Sequence, residues 1–402
     1  MKKIAIVTTG HSPLDDRVFY KEAWSLAKAG FSTSIISFKK SGTHCRSGVY
    51  FLSLEKPNGI LRIVEGLPII GAFPRYLRFL LLLLRNTVDI IHCHEPDAVW
   101  VALAIRYIRK RCRIIYEVRE WFPETTIRKG STSLGGNVRK FVLRGTDILA
   151  SRRVNAIVSV EEPKAKRYER YVQGRVPVLT IRNYPRTDLF FPSGARPRAR
   201  AASTVGLYSG GISLDRGLEE MLWLTKQIND QGYDFSLILN GTFIDPQSKR
   251  DYYRLTEAYN IARHVTYTGW VQHENVPDYV RQADICFVIL HPTEIYYRAL
   301  PIKLFEYMAC AQPIVASDFP LIREIVVGSK CGLLVNPLDK TSIMEATWRL
   351  ICNESLRESL GKNGLRAVQS MYNWNVSQAS LLDLYNSMLR NPNKTRARDN
   401  RK

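Results

Sequence analysis

The stretch "VDIIHCHEPDAVWVALAIRYIRKRCRIIYEVRE", residues 88–120, decides the fold. VDIIHCHEPD opens as a short apolar run and ends in polar residues, and RCRIIYEVRE repeats that form. The helix-like AVWVALAIRYIRK lies between them. Two continuous apolar strands joined by a helix form a βαβ unit, and such strands belong to a parallel sheet covered on both faces.

The same alternation runs outward from this unit. On the N-terminal side lie the strand KIAIVTT, the helix DRVFYKEAWSLAKAG closed by Gly30, and the strand STSIISF. On the C-terminal side follow the strands VNAIVSV and VPVLTIRNYP. The Pro- and Arg-rich YPRTDLFFPSGARPRARAAS, residues 184–203, reads as a linker. The pattern then restarts with TVGLYSGG, a helix from 217, FSLILNG, HVTYTGW, ADICFVIL, a helix from 302, PIVAS and CGLLVNP. The expected class is α/β, with two doubly wound Rossmann-like domains over 1–183 and 204–372. An amphipathic helix follows over 373–390, then a disordered basic tail over 391–402.

The 402 residues and 45% apolar content suit two domains with sizeable cores and exclude wholesale disorder. Seven scattered cysteines contain no CxxC pair and no zinc spacing, as expected of reduced thiols in a cytoplasmic protein. MKKIAIVTTG reads as a first strand rather than a signal peptide. Of the net charge of +21, residues 1–203 carry +20, so the first half is expected to face a polyanion. Recognisable nucleic-acid motifs are absent, which favours an anionic membrane surface. The segment 66–89 is too short and too charged to span a bilayer. Its leucines, with Arg75, Arg78 and Arg85, fit a helix packed on the sheet or one lying at the membrane interface.

Ligands of doubly wound sheets bind where strands end and helices begin. In LPIKLFEYMA, residues 300–309, a helix starts with Lys303 and carries Glu306 one turn on. The free N–H groups and Lys303 would draw a diphosphate, and Glu306 would accept two hydrogen bonds from a ribose diol. The alternative is an ordinary surface pair one turn apart. In LYSGGISLDRGLEEML, Gly210 and Gly211 permit close approach of backbone to a ligand, and Arg216 offers a fork for phosphate. His92 and His94 alternate on one strand end with Glu95 after them. HxH spacing suits a metal, but no further ligand is evident, so no metal site is assigned. An acceptor-facing role for His94 and Glu95, or plain structural hydrogen bonding, remains open.

GGISLDRGLEEM, VTYTGWV, VPDYVRQADICFVIL and LPIKLFEYMACAQPIVASDFPLIREIV resemble, in order, the family-4 glycosyltransferases of the GT-B fold. So do DDRVFYKEAWSLAKAGF, DIIHCHEPDA and YEVREWFPE. The resemblance covers the chain to about residue 390. It implies two domains facing a cleft, a C-terminal helix crossing back onto the first, and sugar transfer from a nucleotide-diphosphate donor. Retention of configuration, no obligatory metal and no cofactor are also implied. The acceptor would be a polysaccharide or lipid-linked oligosaccharide at the inner face of the plasma membrane. Glu306 matches the ribose-binding Glu and Arg216 a diphosphate-binding residue. Lys303, with Leu304 beside it, matches the PxKLFEYMA subgroup. Gly10 and His11 match the loop that closes over the donor, and Asp16 and Arg17, which begin the helix behind it, are expected on the acceptor side. The chain departs from the pattern at Arg298, where a Glu usually meets the sugar, at Ala311 and Gly211, and at Arg119 before Glu120, where a His is usual. Arg119 and Glu120 are nonetheless expected beside the donor. A GT-B epimerase or hydrolase, or a non-catalytic nucleotide-sugar binder, is the rival reading.

Overall fold

The computed structural model describes residues 1–39, 44–54, 73–124, 134–192 and 203–390. They form two compact units: Met1–Asn183 together with the chain from Ser377 on, and Tyr184–Val376. Of the expected linker, 193–202 lies outside the described residues, as does the tail 391–402. Phe190, placed in that linker by the sequence reading, is instead buried in the core of the second unit.

The first unit carries an eight-stranded sheet in the order β3-β4-β2-β1-β5-β6-β7-β8. Its strands are β1 (Lys3–Thr8), β2 (Ser32–Ser37), β3 (Cys45–Arg46), β4 (Val49–Ser53), β5 (Ile90–Cys93), β6 (Arg113–Val118), β7 (Ala156–Ser159) and β8 (Val178–Thr180). All pairs are parallel except the β3–β4 edge hairpin, two strands the sequence reading did not place. The two faces of the sheet differ. Ile91 and Cys93 of β5, and Ile114 and Tyr116 of β6, point into one apolar core. That core also holds Phe79 and Leu83 of α2 (Phe73–Arg85), Ala98 and Ala102 of α3 (Pro96–Ile108), Ala150 of α4 (Leu134–Ser151) and Tyr168 of α5 (Glu162–Val172). The alternate residues, among them His92 and Glu117, point the other way. That face is met by α1, which is wound as a π-helix over Asp16–Ala23 and continues as Trp24–Lys28.

The second unit has a six-stranded, wholly parallel sheet in the order β11-β10-β9-β12-β13-β14. The strands are β9 (Ser203–Ser209), β10 (Asp234–Asn240), β11 (Val265–Gly269), β12 (Ile285–Val288), β13 (Ile314–Ser317) and β14 (Gly332–Val335). Leu207, Cys286 and Ile314 join one buried cluster, and their neighbours Tyr208, Phe287 and Val315 join another. Both faces are therefore covered, as continuous apolar strands require. The site-bearing helices are α6 (Leu218–Asp230), α7 (Pro246–Ala258), α8 (Val276–Gln282), α9 (Glu294–Tyr297) and α10 (Ile302–Ala309). The unit continues through α11 (Pro320–Ser329), α12 (Lys340–Ile351) and α13 (Glu354–Ser370). The last helix, α14 (Trp374–Arg390), leads back to the first unit, where Ser377 Oγ donates to the Arg182 carbonyl at 2.8 Å. No described helix is long and apolar enough to cross a membrane.

Candidate functional site

In the second unit the carboxyl end of β9 meets the start of α10. Gly210, at φ +127°, makes the turn after β9, and a Cβ there would stand 3.0 Å from Lys303 Nζ. Gly217, at φ +78°, caps α6, and a Cβ there would strike Ile289 at 2.5 Å. Glycine is needed at both, for conformation and for space. Lys303 is buried, with its Nζ 3.5 Å from the centroid of the Tyr208 ring and no hydrogen-bond partner among the described residues. Burial pushes the amine well below the usual lysine range, Arg216 adds to the fall and Glu306 opposes it. Arg216 is held in place, its Nε donating to the Tyr296 hydroxyl at 2.9 Å, with the guanidinium 5.3 Å from that ring. Glu306 is buried on the same helix as Lys303. Here the fold gathers two basic side chains and a carboxyl group around a glycine turn.

Other expected residues are placed differently. Leu304 is fully buried in the apolar core, where its side chain anchors α10. Arg298 is half exposed and pairs with Glu294 one turn away at 3.4 Å. A Cβ on Gly211 would strike Ile244 at 2.9 Å and crowd Arg216 at 3.1 Å. Ala311 stands at φ +56°, the left-handed conformation that explains the usual Gly of that position. The sequence reading missed Tyr208, Tyr296 and the His291–Glu220 pair at 3.0 Å, which raises the His291 pKa. Aromatic and His residues scattered over four elements carry no spacing that could reveal them.

In the first unit Glu95 organises the loop after β1. It accepts from Thr8 Oγ1 at 2.8 Å, Thr9 N at 2.9 Å and Gly10 N at 3.1 Å, with His11 Nε2 3.6 Å away. His11 is lowered to about 4 by burial and then by Arg119, so its imidazole is neutral near pH 7. Arg119 is committed to Asp15, donating at 2.8 and 3.3 Å. Asp16 accepts from Lys21 Nζ at 2.5 Å. Glu120 is exposed, and its neighbour Glu117 is the carboxylate that points inward. Arg17 and His94, expected on the acceptor side, are buried. Arg17 Nε donates to Glu117 Oε1 at 2.7 Å and stands 2.8 Å from Glu22 Oε1. Burial and the neighbouring Glu117 push Glu22 well up, with Arg17 opposing. Glu117 is held well down, against burial, by Arg17 and then His94.

The partnership of Arg17 with Glu22 was not legible because residues five apart on an α-helix stand about 140° apart. The π-helical turn, with i→i+5 bonding, brings them together, as it does Asp16 and Lys21.

Residues 16–184 match the family model for Glycosyltransferase Family 4, and residues 197–367 that for Glycosyl transferases group 1. The chain belongs to the family-4 glycosyltransferases. It is 24% identical over 179 residues to the alpha-D-kanosaminyltransferase of Streptomyces kanamyceticus, covering 44% of each chain. It is 26% identical over 185 residues to the capsular polysaccharide biosynthesis glycosyltransferase CapM of Staphylococcus aureus, covering 46% of each. The match thus spans about half the length of these relatives. HepE of Anabaena, solved with UDP and glucose, has the same GT-B fold at a TM-score of 0.73 and 12% identity, covering 96% of this chain and 100% of that one.

Proposed function

We propose that the chain transfers a glycosyl group, with retention, from a nucleoside-diphosphate sugar to a polysaccharide or lipid-linked acceptor in the building of a surface polysaccharide. One observation carries this reading: Lys303 is a buried amine without a hydrogen-bond partner among the described residues, set against a glycine turn beside Arg216. A buried ammonium without an anion is costly, and a diphosphate would supply the missing charge. As the glycosidic bond to phosphate breaks, negative charge grows on the leaving diphosphate. Lys303 and Arg216 stand ready to stabilise it without rearrangement. Glu306, one helical turn beyond Lys303, would bind the ribose diol. The reading needs no metal at the donor site and no nucleophilic side chain. CapM and the HepE complex with UDP support the substrate class by likeness.

The acceptor side of the proposal is a peripheral site on the inner face of the plasma membrane. Its support is an exposed apolar and basic surface on the first unit. Leu77 and Leu81 are exposed on α2 beside Arg78 and Arg85, and Phe141 is 80% exposed on α4, with Val138 and Val142 exposed beside it.

A thermal-shift panel of UDP, GDP, CMP and ADP sugars tests the donor. The correct base stabilises by RT ln(1 + [L]/Kd). Glu306→Gln is expected to abolish most of that shift while leaving the ligand-free Tm unchanged. No shift with any donor, or an undiminished shift in Glu306→Gln, refutes the assignment.

A further inference from the structure

Inside the first unit, on the face of its sheet opposite the large apolar core, four side chains converge from three elements. They are Glu22 of α1, His92 and His94 at the end of β5, and Glu117 of β6. All four side chains are shielded from solvent. One donor atom from each lies within 4.8 Å of the other three. His94 Nε2 is 3.0 Å from Glu22 Oε2, and His92 Nε2 is 3.2 Å from Glu117 Oε2. In a tetrahedral zinc site with bonds of about 2.0–2.1 Å, donor atoms stand about 3.3 Å apart. Two edges of the quartet therefore already have tetrahedral length. We propose that Glu22, His92, His94 and Glu117 form a structural site for a divalent cation of the zinc class.

Three independent features point the same way. Arg17 takes the first oxygen of each carboxylate, at 2.8 and 2.7 Å, and reaches Glu117 Oε2 only at 3.3 Å. The Oε2 atoms thus face the imidazoles. His92 Nδ1 meets the Tyr385 hydroxyl of α14 at 2.7 Å. Metal-bound histidines normally commit their second nitrogen in this way, which fixes the ring and leaves Nε2 for the ion. Glu22 Oε2 and both His94 nitrogens lack an aligned hydrogen bond, although all are buried. Such groups are costly unless a partner is supplied.

The local charge also fits. Two carboxyl groups, Glu22 and Glu117, share the single guanidinium of Arg17, and a divalent cation would favour the ionised form of both. The site would tie α1 to β5 and β6, with α14 steadying the His92 ring. It has no solvent-facing position, so it is distinct from any catalytic role and stands apart from the glycosyl-transfer reading. The HxH pair was visible in the sequence, but its two carboxylate partners are supplied only by the fold.

The test is metal content of the full chain from zinc-supplemented cells, read by mass spectrometry, together with Co2+ substitution. The expected result is one equivalent of zinc per chain, removable by chelator with a fall in Tm. Co2+ should give the visible bands of a tetrahedral nitrogen–oxygen site without thiolate charge transfer. His94→Gln and Glu22→Gln are expected to lose the equivalent. Tyr385→Phe keeps every ligand and should fold, yet bind about tenfold or more weakly. Zinc no higher in wild type than in His94→Gln overturns the proposal. So does a cobalt spectrum dominated by thiolate bands, or a Tyr385→Phe affinity equal to wild type.

Discussion

Lys303→Met separates a nucleotide site from a structural lysine, because it should move two quantities in opposite directions. Met keeps most of the aliphatic volume over the Tyr208 ring, where Nζ now sits 3.5 Å from the centroid. What disappears is the charge. At about 3 Å and an effective dielectric of about 20, a unit pair is worth roughly 5 kcal/mol gross. Desolvation and the remaining attraction of Arg216 reduce this to about 2–5 kcal/mol net, the usual loss when one member of a buried charge pair is removed. Nucleoside-diphosphate affinity should therefore fall at least ~30-fold. The ligand-free protein should behave oppositely. Burial, reinforced by Arg216, holds the folded amine well below its unfolded value. The unfolded chain then binds this proton over a pH range where the folded chain has released it. Folding is disfavoured below that range, and stability rises with pH up to the ordinary lysine range. Lys303→Met removes this penalty, so its ligand-free Tm should rise near neutral pH. Binding of the diphosphate should raise the Lys303 pKa and so draw a proton to the amine at pH values between the free and bound values. Calorimetry in buffers of different ionisation enthalpy should detect that uptake, which the Lys303→Met variant, having no amine, cannot make. An affinity within threefold of wild type, or a lower ligand-free Tm, refutes the reasoning.

Three further outcomes are expected. Arg216→Ala should lower turnover about 10²-fold at saturating donor, the scale of one lost charge donor; a change within threefold would make Arg216 a mere loop residue. Ala311→Gly should raise stability by about 1 kcal/mol in urea unfolding, because Ala311 occupies the left-handed region at φ +56°, and a loss of stability would count against that strain. Vesicle co-sedimentation should require anionic lipid, fall steeply with salt, and weaken in the Leu77→Ser/Leu81→Ser variant, whose side chains are exposed. Equal binding to neutral vesicles, or none, would favour a soluble acceptor.

Local patterns determined the two parallel sheets, since continuous apolar runs such as IVAS and DIIHC need cover on both faces, and this is a property of neighbouring residues alone. The glycine turn at 210 and the helix start at 302 were equally legible, because φ > 0 and helix initiation are short-range demands. The β3–β4 hairpin at the sheet edge was not, since β3 is only two residues long and β4 joins the sheet through its register with β2, from Thr33↔Val49 to Ser37↔Ser53, which no local pattern sets. Side-chain commitments also lay beyond the sequence. Lys303 and Arg298 are cations of similar promise in the string, yet one is buried over Tyr208 and the other turns outward to Glu294. Arg17 meets Glu22 only because α1 is wound as a π-helix. His94 meets Glu117 only because Cys93 pairs with Tyr116, which brings the next residue of each strand level. Tyr385 reaches His92 across 293 positions. Periodicity reports which side of an element is buried, but the convergence of particular polar atoms depends on strand register, helix winding and chain return, and these are set by the packed whole.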